Sequence, residues 1–377
     1  MEKHAVFNEV YKILAQQVGK DSIVSNTVPS QITNPNGGNL CILPWHEFDR
    51  IAFPETEWWI SDMIPASSLV LIAAPAGEKK TWVALEMARC IALGIPFVGR
   101  FETRKAPVLY IEQESPQYLV QKRGKQLGIN EIKEGMYLLS QDALSLNDPH
   151  TVDDLFRFVQ EHDIKIVFID TFRSVAGGMK EEKAEEVRAF FSRFKAWKDR
   201  GITVVILDHC RKPQKFESAQ RPKKEQILGS QDKVAAVEVV HMLHSEIRSE
   251  EILFYPIKSK VSREADPFKL LLTFEMRNEL EAAVISHGGA IDEKKLKSKE
   301  AEELILGYLA EAKKQQTSKQ IQEALQGAVG KTAIDDALKE MREQNRIGFK
   351  KVGQPFLYWL LEEDDPLEEL HNDDLGS

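Results

Sequence analysis

The chain is poor in cysteine and has no long apolar run. Its 377 residues include three cysteines, Cys41, Cys90 and Cys210, whose spacing fits neither a metal site nor a disulfide framework. No internal repeat occurs. No apolar run approaches the roughly 18 residues of a membrane span, and the first residues lack the apolar core of a signal peptide. We therefore expect a cytoplasmic protein with no membrane partner.

The net charge of −9 is concentrated at the carboxyl terminus. Residues 362–377 carry eight acidic residues and no lysine or arginine, which leaves the rest of the chain at −1. The acidic total therefore does not exclude a nucleic-acid partner. We predict that this tail is disordered; it either keeps the chain solvated, binds a protein partner or mimics DNA in a basic groove.

Hydrophobic patterning divides the chain into four parts. Strand and helix patterns alternate through the longest part, which predicts an α/β fold with a mostly parallel sheet covered by helices on both faces. A later change to three helices and two short strands predicts a small winged helix-turn-helix domain. The parts are an N-terminal helix and linker at 1–46, the core at 47–290, the winged helix at 291–361 and the acidic tail at 362–377.

Local signals refine these parts. Residues 3–18 predict an amphipathic helix, and Ser286–Ala290 predicts a hinge before the winged helix. Ser115 before Pro116 is a typical helix start. Three late strands are predicted as antiparallel additions at one edge of the sheet: Val237–His244, Ile252–Lys258 and Phe268–Phe274.

A loop of small residues between a predicted strand and a predicted helix has the layout of a phosphate-binding loop. In such loops, backbone N–H groups cradle phosphate oxygens, a lysine neutralises the outer phosphates and the next Ser or Thr binds Mg²⁺. Lys80 and Thr81 take those places, so we predict ATP and Mg²⁺ as cofactors. The predicted contacts are Ala74, Pro75, Ala76, Gly77, Glu78, Lys79, Lys80, Thr81 and Trp82.

This loop departs from the Gly-x4-Gly-Lys-Ser/Thr pattern, because Ala74 and Lys79 stand at the two glycine positions. Only Gly77 between them has unrestricted backbone geometry. Lys79 either adds phosphate affinity or crowds the β-phosphate. The substitution therefore bears on hydrolysis more than on binding.

Three further predicted strands end in polar residues, and α/β sheets place their ligands at the carboxyl ends of strands. Glu114 follows one strand, in position to polarise the water that attacks the γ-phosphate. Asp170 ends another, where Mg²⁺ is held. His209 ends a third and is a candidate sensor of the γ-phosphate. For each residue the alternative is a structural or solvated side chain at a strand end.

Basic residues leave the strand Ile252–Lys258. Lys258, Lys260 and Arg263 are candidates for a finger that reaches the γ-phosphate of the neighbouring subunit in a ring, as an arginine finger does. A solvated basic turn is the alternative.

Two loops follow the predicted Mg²⁺ and sensor strands and are candidates for binding single-stranded DNA. The first spans 172–180; the second, 211–224, carries six cations and a single acid, Glu217. Cations track phosphates and an aromatic ring stacks on a base; a surface loop without a ligand is the alternative. The predicted DNA contacts are Arg173, Lys212, Lys215, Phe216, Arg221, Lys223 and Lys224.

The third helix of the predicted winged helix has no strongly basic face. Its cations, among them Lys331, Lys339 and Arg342, alternate with four acids. Winged helices also dock proteins, so DNA and a protein partner both remain open.

The order and spacing of these motifs over about 55–274 resemble the RecA/DnaB superfamily, and within it the RepA-like plasmid and phage replicative helicases. The resemblance implies an ATPase that forms a ring, expected to be a hexamer, on single-stranded DNA. It implies Arg123 near the adenine and a Gly-Ser motif at Gly229 and Ser230 after the second loop. It also implies the roles already given to Lys80, Thr81, Glu114, Asp170 and His209.

Two functions compete on this sequence. The first is a ring-forming, helicase-like ATPase in plasmid, phage or mobile-element replication. The second is an ATP-responsive DNA-binding switch or assembly factor with weak or no hydrolysis, which the altered loop favours. A departure from the family pattern is Asp208, which stands where many relatives have a second histidine.

Overall fold

The structure, a computed structural model, divides into two units, Met1–Glu57 and Trp58–Ser377. The predicted helix at 3–18 and the acidic tail lie outside the described residues, as do Lys212, Lys215, Phe216 and Ser230. The described residues are 32–33, 39–40, 44–50, 55–140, 144–211, 214, 217–218, 220–229, 231–277, 280–312, 314–351 and 356–361.

The first unit contains a strand pair and one helical turn, and the second contains the remaining elements. The strands are β1 (Ile32–Thr33), β2 (Asn39–Leu40), β3 (Trp58–Ile60), β4 (Ile64–Pro65), β5 (Leu69–Ala74), β6 (Val108–Glu112), β7 (Met136–Leu139), β8 (Ile166–Asp170), β9 (Thr203–His209), β10 (Val239–His244), β11 (Glu251–Ser259), β12 (Phe268–Arg277), β13 (Leu280–Ala290), β14 (Gln316–Thr317), β15 (Gly348–Lys351) and β16 (Phe356–Trp359). The helices are α1 (Trp45–Phe48), α2 (Lys80–Leu93), α3 (Gln117–Gln126), α4 (Pro149–Glu161), α5 (Phe172–Val175), α6 (Ala184–Arg193), α7 (Lys195–Lys198), α8 (Asp232–Ala236), α9 (Glu293–Ala312), α10 (Ser318–Ala324) and α11 (Lys331–Glu343).

A sheet of nine strands forms the centre of the second unit, in the order β13-β12-β11-β10-β5-β9-β8-β6-β7. Every pair from β10 to β7 is parallel, which confirms the predicted fold class. The prediction of an antiparallel strand at Val237–His244 is right on one side only, because β10 pairs antiparallel with β11 but parallel with β5, with Val239 opposite Val70. The long connection between β9 and β10 allows this, since a parallel neighbour needs a crossover of a dozen or more residues.

Both faces of this sheet are buried. In β5, Val70 and Ile72 pack in the core that α2 covers, whereas Leu69 and Leu71 pack in the core that contains Phe190 of α6. Side chains alternate between the faces of a strand, so a strand covered on both sides is apolar throughout. Burial on both faces is therefore the reason why the sequence of β5 is a continuous apolar run.

The strands β11, β12 and β13 extend the sheet antiparallel at one edge. The predicted hinge at Ser286–Ala290 is wrong, because these residues form the end of β13 and pair with β12. Gly288 lies where a Cβ would be 3.1 Å from Leu271 Cγ, so this glycine permits close approach within the hairpin instead of marking a hinge.

The helices α9, α10 and α11 and the wing β15–β16 form a small domain with its own core, which contains Ile305, Ile321 and Leu338. The sequence predicts Thr317 or Ser318 as the cap of the second helix, and Thr317 is confirmed, because its side chain accepts a hydrogen bond from the Gln320 N–H at 3.2 Å. The sequence predicts the first helix at Glu300–Lys313, whereas α9 begins at Glu293, and Leu296 in its added residues packs in the core that contains Phe190.

Candidate active site

The sequence-predicted site residues meet at one edge of the sheet. The strands β5, β9, β8 and β6 are parallel neighbours, with Ala74 opposite His209 and Glu112 opposite Asp170 at their carboxyl ends. Lys80 opens α2 after β5, and Glu114 follows β6. Parallel strands therefore bring the four chain segments together, as predicted.

The phosphate loop turns through two residues with left-handed backbones. Gly77 has φ 82° and Lys79, which precedes α2, has φ 63°. A glycine takes this conformation without a steric penalty, whereas a residue with a Cβ is strained by it. Lys79 thus keeps the backbone geometry that the pattern assigns to glycine, and the loop still closes onto the start of α2.

The side chains of Glu78 and Lys79 attach this loop to the turn between β10 and β11. Lys79 Nζ donates to Ser245 Oγ at 2.8 Å and to the Ser249 carbonyl. Glu78 Oε2 accepts the Ser245 N–H at 2.9 Å and lies 3.2 Å from His244 Nδ1. The Lys79 ammonium is therefore bonded to a neighbouring turn, and burial there lowers its pKa.

The Lys80 ammonium does not bind the turn that holds Lys79; it lies among carbonyl oxygens and beside His209. Its Nζ lies 3.2 Å from the Ala74 carbonyl oxygen, 3.4 Å from that of Pro75 and 3.3 Å from His209 Nδ1. Burial lowers the pKa of Lys80, and the charges of Asp170 and Glu114 oppose this. A desolvated ammonium surrounded by carbonyl dipoles is suited to a phosphate oxygen.

The imidazole of His209 lies between the lysine and the catalytic candidate. Its Nε2 is 3.5 Å from Glu114 Oε2 while its Nδ1 faces Lys80. The hydrogen bond with His209 lowers the pKa of Glu114, so this half-exposed carboxylate is ionised at neutral pH. An ionised carboxylate open to solvent can accept a proton from water.

Asp170 fits the predicted Mg²⁺ site. Its Oδ2 accepts the Tyr110 hydroxyl at 2.9 Å, whereas Oδ1 is buried with no hydrogen-bond partner among the described residues. Burial raises the pKa of Asp170, and the side chains of Thr81 and Tyr110 oppose that rise. A buried carboxylate oxygen left without a donor beside a threonine hydroxyl is a suitable donor set for a hard cation.

Glu112 belongs to the site, although the sequence predicted no role for it. It is buried next to Asp170 on β6; its Oε1 accepts the N–H groups of Glu114 and Ser115 at 2.9 and 2.8 Å. Its Oε2 has no partner in the described chain. Burial, with the Asp170 charge second, raises the pKa of Glu112 to about 7. Glu112 holds the backbone that presents Glu114.

Arg123, which the resemblance implies to be near the adenine, lies beside Trp82 of the phosphate loop. Its guanidinium carbon is 5.9 Å from the centroid of the Trp82 ring, and Nη1 donates to Ser115 Oγ at 2.9 Å. Phe274 contacts the same indole edge-on, with centroids 5.5 Å apart. The prediction that Ser115 caps α3 is wrong, because Pro116 occupies the cap position without a side-chain bond; Ser115 binds Arg123 instead.

The finger candidates lie at the end of β11 or follow it, at the end of the sheet opposite to the phosphate loop. Ser259 pairs with Val239, which pairs with Val70 near the start of β5, while the phosphate loop follows the end of β5. Lys258 Nζ donates to the Val234 and Val237 carbonyls, and Lys260 Nζ donates to that of Ala235 at 3.0 Å. Burial, and next the charge of Lys260, lowers the pKa of Lys258 to about 8.

Because of this placement, Lys258 and Lys260 are far from the phosphate loop of their own chain along the strand direction. Arg263, the third candidate, is exposed after β11. Lys258 and Lys260 are therefore not placed to contact a nucleotide in the phosphate loop of their own chain.

The described candidates for DNA contact differ in their exposure and in the ion pairs that they already form. Lys223 and Lys224 are exposed. Arg173 is exposed too, 4.0 Å from Glu181. Arg221 is already engaged: Nε donates to Glu300 Oε2 at 3.1 Å and Nη2 donates to Glu293.

The acids that bind Arg221 belong to α9, the first helix of the winged-helix domain. A third acid of that helix, Glu303, accepts the Ser218 hydroxyl at 2.8 Å. Lys299 of α9 and Gln220 both donate to Glu246 Oε1, at 3.3 and 3.2 Å. The winged helix is thus docked by its acidic first helix on the end of the second loop.

Two absences bound the chemistry. Within the described ranges, no three His, Cys, Asp or Glu side chains are grouped as a metal cage; Mg²⁺ typically binds through one or two carboxylates and substrate phosphates and needs no such cage. Among the same residues, no helix has the length and apolarity needed to cross a bilayer.

Family comparisons agree with this geometry. Residues 39–215 match an AAA domain family, and residues 300–361 match the TBPIP/Hop2 winged helix domain. No curated protein matches the chain. The first match includes the phosphate loop, Glu114, Asp170 and His209. The chain is therefore similar over residues 39–215 to a P-loop ATPase-like domain of the RecA/helicase type, and over residues 300–361 to a winged helix domain.

Proposed function

We propose that this protein is an ATP-dependent, ring-forming, helicase-like ATPase that acts on single-stranded DNA in plasmid, phage or mobile-element replication. The observation that carries the proposal is the row formed by Lys80, His209 and Glu114, joined at 3.3 and 3.5 Å. A phosphate-loop lysine, a sensor and a catalytic carboxylate at one sheet edge are the parts that ATP hydrolysis needs.

Each residue near the phosphates has a separate role in this proposal. The loop N–H groups and Lys80 neutralise phosphate oxygens, and Thr81 with Asp170 would hold Mg²⁺, which supplies further charge neutralisation when bound. Glu114, an ionised carboxylate held beside His209, orients the attacking water and takes its proton. A terminal phosphate competes for the contacts that His209 makes with Lys80 and Glu114, so His209 senses its presence.

The finger candidates support assembly into a ring, expected to be a hexamer. One of Lys258, Lys260 and Arg263 would complete the site of the adjacent subunit; the position of Lys258 and Lys260 away from the phosphate loop of their own chain is consistent with this role. Their desolvated or exposed cations would stabilise charge on the transferred phosphoryl group. DNA passes the loops at 172–180 and 211–224, which follow the Mg²⁺ and sensor strands.

Steady-state ATP hydrolysis with and without single-stranded DNA tests this proposal. We expect turnover stimulated by DNA in the wild type, no nucleotide binding by Lys80→Ala, and retained binding with a loss of about 10²-fold or more in turnover for Glu114→Gln, the usual contribution of a positioned base. Unchanged turnover in Lys80→Ala would show that the site is elsewhere. Loss of binding in Glu114→Gln would make that carboxylate structural.

The second candidate, an ATP-responsive DNA-binding switch or assembly factor, is favoured by the strained backbone of Lys79. Hydrolysis by Lys79→Gly beside the wild type separates the two. If the wild type turns over ATP, the lysine is compatible with a motor. If only Lys79→Gly does so, the natural loop is held inactive and the switch is the better description.

A further inference from the structure

A buried lysine outside the predicted set connects three segments around β9. Lys233, in α8, is 0% exposed. Its Nζ donates to Asp208 Oδ2 at 2.8 Å and to Glu181 Oε2 at 2.7 Å, and it lies 4.0 Å from the centroid of the Phe172 ring. Two carboxylates and an aromatic face satisfy this cation, which isolated burial would not allow.

Each partner belongs to a segment with a proposed role. Asp208 precedes the sensor, and its Oδ1 accepts the His209 N–H at 2.8 Å. Phe172 begins the first predicted DNA loop and Glu181 follows its end. Lys233 itself lies after the second loop. A single ammonium therefore joins the sensor strand to the ends of both loops.

The backbones of the same segments are also in contact. At Gly229, which has φ 83°, a Cβ would lie 2.8 Å from the Glu181 carbonyl oxygen, so glycine permits the two loop ends to meet. The Leu228 N–H donates to the His209 carbonyl at 3.0 Å. The base of the second loop is thus paired with the residue that senses the phosphate.

We propose that Lys233 is a positioning residue that transmits the nucleotide state sensed at His209 to both DNA loops. This inference rests on the proposed function. A shift of His209 moves Asp208, and Lys233 must follow because separation would leave buried charges unpaired. Glu181 and α8 then move with it.

The test uses the full chain with the cluster made neutral, as Glu181→Gln, Asp208→Asn and Lys233→Met combined, so that no charge is left orphaned. The control is Lys198→Met with Glu238→Gln, a partly exposed lysine–carboxylate pair at 2.9 Å that contacts neither predicted DNA loop. Three measurements are made: affinity for a non-hydrolysable ATP analogue, the ratio of ATP turnover with and without single-stranded DNA, and amide exchange of 172–181 and 231–236 with and without the analogue.

We expect the neutral variant to bind the analogue as the wild type does, while DNA stimulation falls about tenfold, within the range of couplings between distant sites. The change in amide exchange on analogue binding should disappear from both segments. The control should keep both responses. Retained stimulation and retained exchange changes in the neutral variant would overturn the role of Lys233.

The outcomes for the proposed function are separate. A wild type whose exchange responds to the analogue but whose turnover ignores DNA would contradict the DNA motor, and the exchange data would still decide the role of Lys233. If the neutral variant fails to fold, Asp208→Asn with Lys233→Met is measured in the same way. A wild type with no response to the analogue would overturn both proposals.

Discussion

The two sides of β9 differ in how completely their charges are satisfied. On the nucleotide side, Asp170 Oδ1 and Glu112 Oε2 are buried without a hydrogen-bond partner among the described residues. On the other side, Lys233 binds Asp208 and Glu181 at 2.8 and 2.7 Å. Both clusters combine lysine and carboxylate, but only the second is complete.

This difference separates a ligand site from a structural network. Buried polar atoms without partners are costly, and native proteins keep them mainly where a ligand, an ion or water completes them. A complete network has no free valence for a ligand, but it holds its members in place. We therefore expect the nucleotide-side cluster to bind a ligand, and the Lys233 cluster to hold the segments that it joins in a fixed relation.

The largest expected effect compares the two lysines directly. Lys233→Met should lower the free energy of unfolding by about 3–5 kcal/mol, because it leaves the buried Asp208 carboxylate and the partly buried Glu181 carboxylate uncompensated. Lys80→Met should cost much less, because burial already disfavours the Lys80 ammonium and its partners are carbonyls and a histidine. Urea denaturation of both variants without nucleotide checks this.

Equal losses in the two variants would contradict the comparison, because they would make Lys80 as much a part of the folded framework as Lys233. Adding ATP and Mg²⁺ gives the internal control: ligand should raise the stability of the wild type and not that of Lys80→Met.

His241 tests whether an unpaired atom alone marks a ligand site. Its Nδ1 has no partner among the described residues, whereas its Nε2 lies 2.8 Å from the Met63 carbonyl oxygen. Burial lowers the pKa of His241 to about 4, against 6.5 ordinarily. The neutral ring is thus the native form. Stability from this group is complete above pH 6.5 and is lost as the pH falls through 4, by about 3 kcal/mol.

Thermal denaturation of the wild type and His241→Gln at pH 7.5 and 4.5 measures this contribution. The wild type should lose more stability than the variant on acidification, and neither should change in ATP affinity at pH 7.5. An equal acid sensitivity would show that His241 is not the titrating group; a loss of ATP affinity would make it part of the site.

Much of the site could be predicted from the sequence because its residues are attached to strand ends. Once β5, β6, β8 and β9 are recognised as parallel and adjacent, Lys80, Glu114, Asp170 and His209 must share an edge. No knowledge of side-chain packing is needed for that step. The phosphate loop was recognised despite Lys79, since Lys80 and Thr81 keep the order of the pattern.

The Lys233 cluster could not be predicted in this way. Lysine is usually exposed, and its partners Asp208 and Glu181 are 25 and 52 residues away. The hinge prediction failed for a related reason, because Gly288 and Gly289 were interpreted from local sequence whereas pairing with β12 decides their structure. Contacts between distant segments leave no periodic signal.

The smallest expected effect concerns a third group of charges, the acidic residues of α9 that form ion pairs with the second loop. Arg221 is paired with Glu300 and Glu293, and such partly exposed pairs contribute at most about 1 kcal/mol. Glu300→Gln should therefore tighten binding of single-stranded DNA by a few-fold, because Arg221 loses one of its two acidic partners and a phosphate then competes only with Glu293. The matched control is Glu302→Gln on the same helix, since Glu302 pairs with Arg346 inside the winged helix. Fluorescence titration with a labelled oligonucleotide at two salt concentrations measures both.

Weaker binding by Glu300→Gln would show that docking of α9 assists DNA binding, whereas an equal gain in both variants would be an effect of net charge alone. A gain confined to Glu300→Gln would extend the comparison to a third case, in which an ion pair is complete only until a stronger anion displaces it.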